Sequence, residues 1–281
     1  MNNIDLHIHS NYSDGSDSID ILLAKIIDAG IKLFALSDHD TIKGCKEMAT
    51  KCPKDIQFIP TVELTCLAGD IKCHILGYGC DPDNIALNNL IEQGKLLRRK
   101  KLETRIEYLK HVWGIELTKD ELDWLYSRRS VVKTHIANIL YKRGLGDDNV
   151  SIMKKYLDGC KTGNTRFDGK EAVSVIQKAG GIPVWAHPLG GEGEKHISQE
   201  DFIPKLNKMI SYGIKGLECY YSRYNLSEAI FLQECAKKNN LFVTAGSDYH
   251  GTNKKGISLG QLCVQDLYVS PENISILDAL L

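Results

Sequence analysis

The chain has 281 residues, of which 43% are hydrophobic and 25% are charged, and its formal net charge is −1. This length suffices for one large α/β barrel or two medium domains, and the composition excludes a disordered chain, a collagen and a coiled coil. Because the charges nearly balance, no general field attracts nucleic acid or an acidic membrane, so an anionic substrate must be held by local features.

The cysteines and the first residues favour a cytoplasmic protein. Nine cysteines are scattered along the chain and form no CxxC pair, which favours free thiols over a disulfide framework. The first ten residues lack the basic and apolar segments of a signal peptide, and no apolar run reaches the roughly 18 residues of a membrane span. We therefore expect a cytoplasmic protein without membrane contact.

Strands and helices alternate in the first part of the chain. Ser18 can cap a helix that ends at Gly30, and a second, short helix starts at Thr41. Runs of alternating or continuous apolar residues predict the strands between these helices. The predicted strands are residues 4–9, 31–36, 57–63 and 74–78.

The middle of the chain is predicted to be helical. Residues 86–165 are richly charged, contain a capping box from Thr118 to Glu121 and show no clear strand pattern. We therefore predict a small helical subdomain over residues 86–165, inserted into a barrel domain that is formed by residues 1–85 and 166–281.

Alternation of helices and strands resumes near residue 169. Helices are predicted at residues 171–179, before Tyr212 and at residues 226–238. The strands that follow them are residues 182–186, 216–220 and 241–245. Alternating βα units predict a parallel sheet, either closed or open.

Histidines and carboxylates follow most of the predicted strands. Because the carboxyl ends of parallel strands surround one shared mouth, we expect these side chains to converge in space. His74 differs, since it begins the predicted strand 74–78. The candidate ligands at strand ends are His7, His9, His39, Glu63, His187, Asp248 and His250.

The pair His7 and His9 gives the clearest geometric argument for a metal. Side chains two residues apart on a strand point the same way. Two imidazoles on a strand with apolar neighbours make a poor core unless each gives one nitrogen to a metal and the other to an acceptor. Taken alone, His39, His74 or His187 could equally be a structural histidine, but together they indicate one metal centre.

Several short segments resemble, in the same order, the motifs of the PHP (polymerase and histidinol phosphatase) superfamily. The resemblance covers the chain outside the predicted insertion and part of the insertion itself. The segments are His7-Ile8-His9-Ser10, Ser13-Asp14-Gly15, Ser37-Asp38-His39-Asp40-Thr41, Glu63, His74, Ala186-His187-Pro188 and Ser247-Asp248-Tyr249-His250-Gly251.

The resemblance implies a distorted (β/α)7 barrel with a trinuclear metal site. Six imidazoles and three carboxylates are too many for one ion, and this mixture fits Mn, Fe or Zn better than Ca or Mg. Three dications would leave the site cationic, which suits a phosphate ester. The implied ligands are His7, His9, Glu63 and Asp248 for the first metal, Glu63, His74 and His187 for the second, and Asp14, His39 and His250 for the third.

Within the superfamily, the chain is similar to stand-alone bacterial phosphoesterases with a helical insertion. These enzymes act on nucleoside 3',5'-bisphosphates or on the 5' ends of short oligoribonucleotides. The segment Lys133-Thr134-His135 resembles an Arg-Pro-His segment of that group, which makes Lys133 and His135 candidates for binding the substrate phosphate. Arg223, after the strand 216–220, is a third candidate.

The expected reaction is attack of a metal-bound hydroxide on phosphorus, with His250 or His196 as the acid for the leaving group. The expected partner is a small phosphorylated substrate, with no duplex DNA, membrane or obligatory protein partner. A histidinol phosphatase and a cyclic-phosphate phosphodiesterase are alternatives, and a non-catalytic metal-binding module is an alternative of another class. A barrel amidohydrolase also begins with HxH, but the missing lysine bridge pattern and the Ser247-Asp248-Tyr249-His250 motif disfavour it.

Overall fold

The computed structural model describes residues 2–127, 133–191, 194–265 and 267–281. The chain forms two compact units. The first, here called the barrel unit, comprises Met1–Ile91 and Arg166–Leu281, and the second, the helical unit, comprises Glu92–Thr165. The division falls inside a long helix, α3 (Ile85–Trp113).

Seven strands of the barrel unit follow one another in the order β1-β2-β3-β4-β6-β7-β8, and the short β5 pairs with β3 beside this path. Two backbone hydrogen bonds connect the end of β8 to β1: His9 N donates to Tyr249 O at 2.9 Å, and Asp248 N donates to His7 O at 2.8 Å. The sheet is therefore a nearly closed seven-stranded barrel, as the family resemblance implies. The strands are β1 (Ile4–Ile8), β2 (Leu33–Leu36), β3 (Gln57–Ala68), β4 (Ile71–Tyr78), β5 (Phe167–Asp168), β6 (Ile182–Ala186), β7 (Gly216–Tyr221) and β8 (Phe242–Gly246).

One strand runs against the expected direction. β4 pairs antiparallel with both β3 and β6, so the prediction of a wholly parallel sheet is wrong at this strand. The reason is a turn at Gly69 and Asp70, where Gly69 has φ +68°. Two residues can join antiparallel strands but are far too short for a parallel crossover. His74 consequently lies within a strand, opposite Thr65 of β3, rather than at a strand start.

Helices surround the barrel, and side-chain caps mark where several of them begin. Ser18, Asp168, Ser198 and Asn225 each accept a hydrogen bond from a backbone N–H in the first turn of the helix that follows. The helices of this unit are α1 (Ile19–Asp28), α2 (Lys43–Lys51), α7 (Gly169–Lys178), α8 (Gln199–Tyr212), α9 (Leu226–Lys238) and α10 (Leu277–Leu280), with 3₁₀ turns at Gly251–Asn253 and Pro271–Asn273.

The helical unit has a hydrophobic core of its own, which includes Leu109, Leu125, Ile136, Leu140 and Leu157. Across the described residues, no helix combines the length and the apolar character needed to cross a membrane. The elements of the helical unit are most of α3, α4 (Lys119–Ser127), α5 (Lys133–Lys142), α6 (Asn149–Ile152) and a π-helical turn at Met153–Leu157.

Candidate metal centre

The structure brings all nine predicted ligands into one cluster in the barrel unit. Strands β1, β3 and β4 carry three of them directly, and the other six follow β1, β2, β6 and β8. His7, His9 and Glu63 are completely buried, and the remaining members are buried or half-buried except for Asp14, whose side chain is 52% exposed. The cluster therefore lies at one end of the barrel, with Asp14 at its solvent-facing edge.

The carboxylate of Glu63 lies at the centre of the cluster. Its Oε2 atom is 3.3 Å from Nε2 of His7 and 3.3 Å from Nε2 of His9. The same oxygen is 3.0 Å from Nδ1 of His39. One carboxylate oxygen thus faces three imidazoles that come from two different strands.

The other oxygen of Glu63 faces a second pair of imidazoles. Glu63 Oε1 is 3.2 Å from Nδ1 of His74 and 3.2 Å from Nε2 of His187. These two ring nitrogens are themselves only 3.3 Å apart. Glu63 consequently has the position of a carboxylate that bridges two metal sites, with one site on each oxygen.

Asp248 and Asp14 complete two further corners of the cluster. Asp248 Oδ1 lies 3.2 Å from Nε2 of His9 and 3.6 Å from Nε2 of His7. Asp14 Oδ1 lies 3.2 Å from Nε2 of His250 and 3.7 Å from Nδ1 of His9. Both carboxylates therefore face imidazole nitrogens, as metal-binding carboxylates do in mixed sites.

Three groups of residues have ligand atoms that all lie within 4.8 Å of one another. One group contains three of the four residues that the resemblance implies for the first metal. Another group contains all three residues implied for the third metal, together with His9. The third group contains His39 rather than His187 beside Glu63 and His74. The groups are His9, Asp14, His39 and His250; His7, His9 and Glu63; and His39, Glu63 and His74.

The nitrogen–oxygen distances in the cluster are those expected around bound cations, and so are its buried polar atoms that lack hydrogen bonds. Two atoms that bind one ion at about 2.1 Å lie about 3.0–3.4 Å apart, which is the range of most nitrogen–oxygen distances around Glu63. In addition, His39 Nδ1, Glu63 Oε2 and His250 Nε2 are buried and make no hydrogen bond of acceptable geometry. Buried polar atoms without a partner are costly, and cations bound at these atoms would satisfy them.

The charges in the cluster also favour a cation. Burial favours the neutral His39 imidazole, but nearby carboxylates outweigh burial and raise the pKa of His39 to about 10. Burial opposes ionisation of Glu63 and Asp248, yet the surrounding imidazoles hold the pKa of both carboxyl groups well below its usual range. The carboxylates therefore stay ionised and stabilise positive charge at the centre of the cluster.

Backbone strain coincides with the cluster. Among the described non-glycine residues, four have a positive φ, and three of these adjoin or belong to the cluster: Asp40 at +52°, His187 at +30° and Asp248 at +59°. Such conformations cost of order 1–3 kcal/mol each and persist where the surrounding structure enforces them. The strain aims His187 and Asp248 into the cluster at the ends of β6 and β8.

Glu218 is a functional candidate that sequence reasoning missed. It lies on β7, is fully buried, and its Oε1 atom is 2.8 Å from Nδ1 of His7. Its Oε2 atom accepts the backbone N–H of His187 at 2.7 Å. A proton on His7 Nδ1 leaves Nε2 free to bind a metal, so Glu218 fixes the useful tautomer of His7 and positions His187.

Two more side chains that sequence reasoning did not identify form hydrogen bonds with Asp248. Tyr221 donates its hydroxyl hydrogen to Asp248 Oδ2 at 3.0 Å, and the Lys254 ammonium donates to the same oxygen at 2.6 Å. These contacts leave Oδ1 facing the imidazoles. Tyr221 ends an apolar strand and Lys254 lies in a loop, so neither had a sequence signal beyond its position after β7 or β8.

A cavity of about 520 Å³ opens beside the cluster. Two of the candidate metal ligands, His74 and His187, are among its lining residues. His196, predicted as an acid, also lines it; its side chain is 57% exposed and its Nε2 atom is 3.0 Å from Glu228 Oε1. The cavity thus places one predicted acid within the same space as two candidate ligands.

The three predicted phosphate-binding residues lie elsewhere in the chain. Lys133 and His135 belong to the helical unit, where Lys133 pairs with Asp158 and the ring of His135 lies 5.7 Å from that of Trp124. Arg223 follows β7, is exposed, and is not one of the described residues that line the cavity. Their role in binding phosphate stays a prediction.

Comparison with known proteins assigns the class of protein that the barrel and the histidine-carboxylate cluster define. The chain matches the family described as the PHP domain over residues 5–164, and it belongs to this family. It is a phosphoesterase, a hydrolase of the PHP type, and its His, Asp and Glu clusters are metal-binding clusters. The earlier resemblance and the prediction of an enzyme are both confirmed.

Three relatives cover nearly the whole chain. A 3',5'-nucleoside bisphosphate phosphatase of Chromobacterium violaceum is 28% identical and aligns over 92% of this chain and 91% of its own length. A phosphoribosyl 1,2-cyclic phosphate 1,2-diphosphodiesterase of Eggerthella lenta is 26% identical over 88% and 94%. A 5'-3' exoribonuclease of Haemophilus influenzae is 28% identical over 88% and 89%.

A solved structure agrees with the fold. A protein of Bifidobacterium adolescentis, provisionally described as a metal-dependent phosphoesterase, superposes with a TM-score of 0.73 at 23% identity. The superposition covers 96% of this chain and 93% of that protein. At this identity the likeness establishes the fold, which is the PHP-type barrel with additional helices.

Proposed function

We propose that this protein hydrolyses a phosphate ester of a nucleotide, either a nucleoside 3',5'-bisphosphate or a short oligoribonucleotide. The observation that carries the proposal is that His74 and His187, at the metal-binding cluster, line a cavity of about 520 Å³. This volume lies within the range of roughly 300–1,000 Å³ that is typical of small-molecule sites. Two of the three relatives that cover the chain are named for nucleotide or RNA substrates, which supports the same class.

Three divalent ions, with manganese the preferred metal, would be held by the nine clustered residues. His7, His9, Glu63 and Asp248 would bind the first ion, Glu63, His74 and His187 the second, and Asp14, His39 and His250 the third. When bound, such ions supply Lewis-acid activation of water and of phosphoryl oxygens. The exposed edge at Asp14 and the opening at His74 provide two routes by which solvent and substrate reach the cluster.

Neighbouring side chains orient the candidate metal ligands. Glu218 keeps a proton on Nδ1 of His7, and Tyr221 and Lys254 keep Oδ1 of Asp248 turned toward the imidazoles. Burial lowers the pKa of His250 to about 4, and Nδ1 of His250 lies 2.8 Å from the carbonyl oxygen of Asp248. His250 is therefore neutral, with Nδ1 held by a carbonyl oxygen and Nε2 turned toward Asp14, as a metal ligand needs to be.

His196 is the better candidate for the acid that protonates the leaving group. Unlike His250, it lines the cavity and is largely exposed. Its Nε2 atom lies 3.0 Å from Oε1 of Glu228, which holds the ring in place at the cavity. A proton on this imidazole can reach an alkoxide that leaves within the cavity.

A cyclic-phosphate phosphodiesterase is the second candidate. The Eggerthella lenta relative, named for phosphoribosyl 1,2-cyclic phosphate, aligns over 94% of its length. Both reactions attack phosphorus and use the same kind of metal centre, so the cluster serves either.

A panel of substrates separates these functions. With manganese supplied, we expect adenosine 3',5'-bisphosphate or 5'-phosphorylated short RNA to be hydrolysed at least about tenfold faster than phosphoribosyl 1,2-cyclic phosphate or histidinol phosphate. Preference for the cyclic ester would establish the second candidate instead. Preference for histidinol phosphate would contradict both. Metal binding without turnover of any ester would indicate a non-catalytic module.

A further inference from the structure

The cavity beside the metal-binding cluster has a basic lining that the cluster does not account for. We call Lys72, Arg166, Lys195 and Lys205 the basic lining, since all four border the cavity together with His74 and His187. Among the described residues that border it, only Glu194 and Asp201 carry a negative charge. Three lysines, Lys72, Lys195 and Lys205, thus border the cavity beside two carboxylates, in a chain whose formal net charge is −1.

One of the two carboxylates already contacts groups outside the basic lining. Glu194 Oε2 accepts the backbone N–H of Gly191 at 2.9 Å and lies 3.5 Å from Nδ1 of His187. Its charge is thus directed at the metal-binding cluster rather than at the basic lining. The ammonium groups of the lining lysines are left for a bound anion to balance.

Strand geometry explains how Lys72 reaches the same space as a metal ligand. Lys72 and His74 are two residues apart on β4, so their side chains leave the same face of the strand. Lys205 approaches from α8, where its ammonium donates to the backbone carbonyl of Asp201 at 3.2 Å. Within the described part of the chain, neither lysine forms an ion pair with a carboxylate. Both ammonium groups can therefore bind an anion without first breaking a salt bridge.

We propose that Lys72, Arg166 and Lys205 bind a second phosphate group of the substrate while the ester to be cleaved lies at His74 and His187. This inference rests on the proposed function and narrows it to a ribose that carries two phosphate groups at separate positions. A nucleoside 3',5'-bisphosphate has this chemistry, and so does a phosphoribosyl 1,2-cyclic phosphate. A substrate with a single phosphate would leave the ammonium groups of Lys72 and Lys205 without a bound anion.

The test uses a double variant, Lys72→Gln with Lys205→Gln, in the full-length protein. The matched control is Lys32→Gln with Lys208→Gln, which removes the same charge from two exposed lysines that pair with Asp55 and Asp70 outside the cavity. Calorimetry on the metal-free protein measures the Kd of adenosine 3',5'-bisphosphate. Steady-state kinetics on the manganese-loaded protein measure KM for the same compound, for phosphoribosyl 1,2-cyclic phosphate and for para-nitrophenyl phosphate.

Loss of two charge-assisted contacts should weaken bisphosphate binding and raise its KM by at least about tenfold, with para-nitrophenyl phosphate changed less than about twofold. The control should match the wild type on every compound. An unchanged Kd in the double variant, or an equal loss on para-nitrophenyl phosphate, would overturn the inference. If the wild type hydrolysed no nucleotide, the proposed function would fail, while the calorimetric comparison would still decide the inference. A larger KM effect on the cyclic ester than on the bisphosphate, with bisphosphate binding also weakened, would keep the inference and identify the cyclic ester as the preferred substrate.

Discussion

Glu63 lies within the apolar strand β3, and its side chain is completely buried. Because a buried carboxylate is costly without compensation, the sequence alone indicated that something positive must face it. The structure supplies five imidazoles around its two oxygens. Their mutual approach is stable only if cations or protons lie between the rings and the carboxylate.

A first prediction concerns Glu63→Gln, which keeps the size of the side chain and removes its charge. We expect loss of bound metal and a fall in turnover of at least roughly 100-fold, since a direct ligand should matter more than an outer partner. Elemental analysis and phosphate release measure the two effects. Glu171→Gln, at an exposed position of α7, is the control, and wild-type metal content in Glu63→Gln would contradict the bridging position.

Glu218 could have been found by the same argument. It interrupts the apolar strand β7 just as Glu63 interrupts β3, so its burial was a readable signal. What the sequence could not give is its partner, because the contact with His7 joins residues that are 211 positions apart. Lys254 and Tyr221 are different, since nothing local marks a loop lysine or a strand tyrosine as a partner of Asp248.

Glu218→Gln should therefore lower metal affinity by about 10–100-fold while the fold survives. The amide has one oxygen, so it cannot accept from both His7 and the backbone of His187. Titration with manganese, followed by calorimetry, measures the affinity. Glu234→Gln, on the neighbouring helix α9, serves as the control. Equal manganese affinities in the wild type, Glu218→Gln and Glu234→Gln would show that Glu218 does not support the metal centre.

At the scale of elements, the hairpin of β3 and β4 is where sequence reasoning was least accurate. The predicted strand stopped at residue 63 and the next began at residue 74, whereas the observed strands meet at a two-residue turn. Apolar residues continue through both, but Gly69 and Asp70 were not recognised as a hairpin turn. His74 was still predicted as a metal ligand, because its residue type and order in the motif do not depend on strand direction.

Strand β8 contacts β1 where the barrel closes, and the two backbones approach so closely that a side chain at Gly246 would clash with His7. A Cβ at Gly246 would lie 2.1 Å from the Cβ of His7 and 2.8 Å from its backbone nitrogen. Gly246→Ala should therefore destabilise the protein by about 1–3 kcal/mol and reduce metal binding. Urea denaturation measures the stability. Gly163→Ala, where a Cβ meets nothing within 4 Å, is the control. Wild-type stability in Gly246→Ala would contradict this prediction, because it would show that β1 and β8 can move apart at little cost in free energy.

At the scale of the whole molecule, the order of strands, helices and motifs was predictable from the sequence, and so was the class of protein. Periodicity identifies elements locally, and collinear motifs identify the family. The cavity was not predictable, because its lining combines β4, α8 and the segment after β6. Only the folded chain shows that Lys72, Arg166 and Lys205 share one space with His74.

Metals should stabilise the whole barrel, because they bind the folded cluster and cannot bind it in the unfolded chain. At a manganese concentration near 100 times Kd, mass action gives about 2.7 kcal/mol, which corresponds to a rise in Tm of roughly 5 °C or more. Thermal melts with chelator and with manganese measure the shift. Glu63→Gln should show a much smaller shift. Identical melting of the wild type in both conditions would contradict a metal-filled cluster.

The most direct measurement is anomalous X-ray diffraction from crystals of the manganese-loaded protein. We predict three anomalous peaks: one beside each oxygen of Glu63, within reach of His7 on one side and His187 on the other, and a third between Asp14 and His250. The absence of a peak beside the oxygens of Glu63, or a cluster that stays empty while manganese supports turnover, would contradict the central claim.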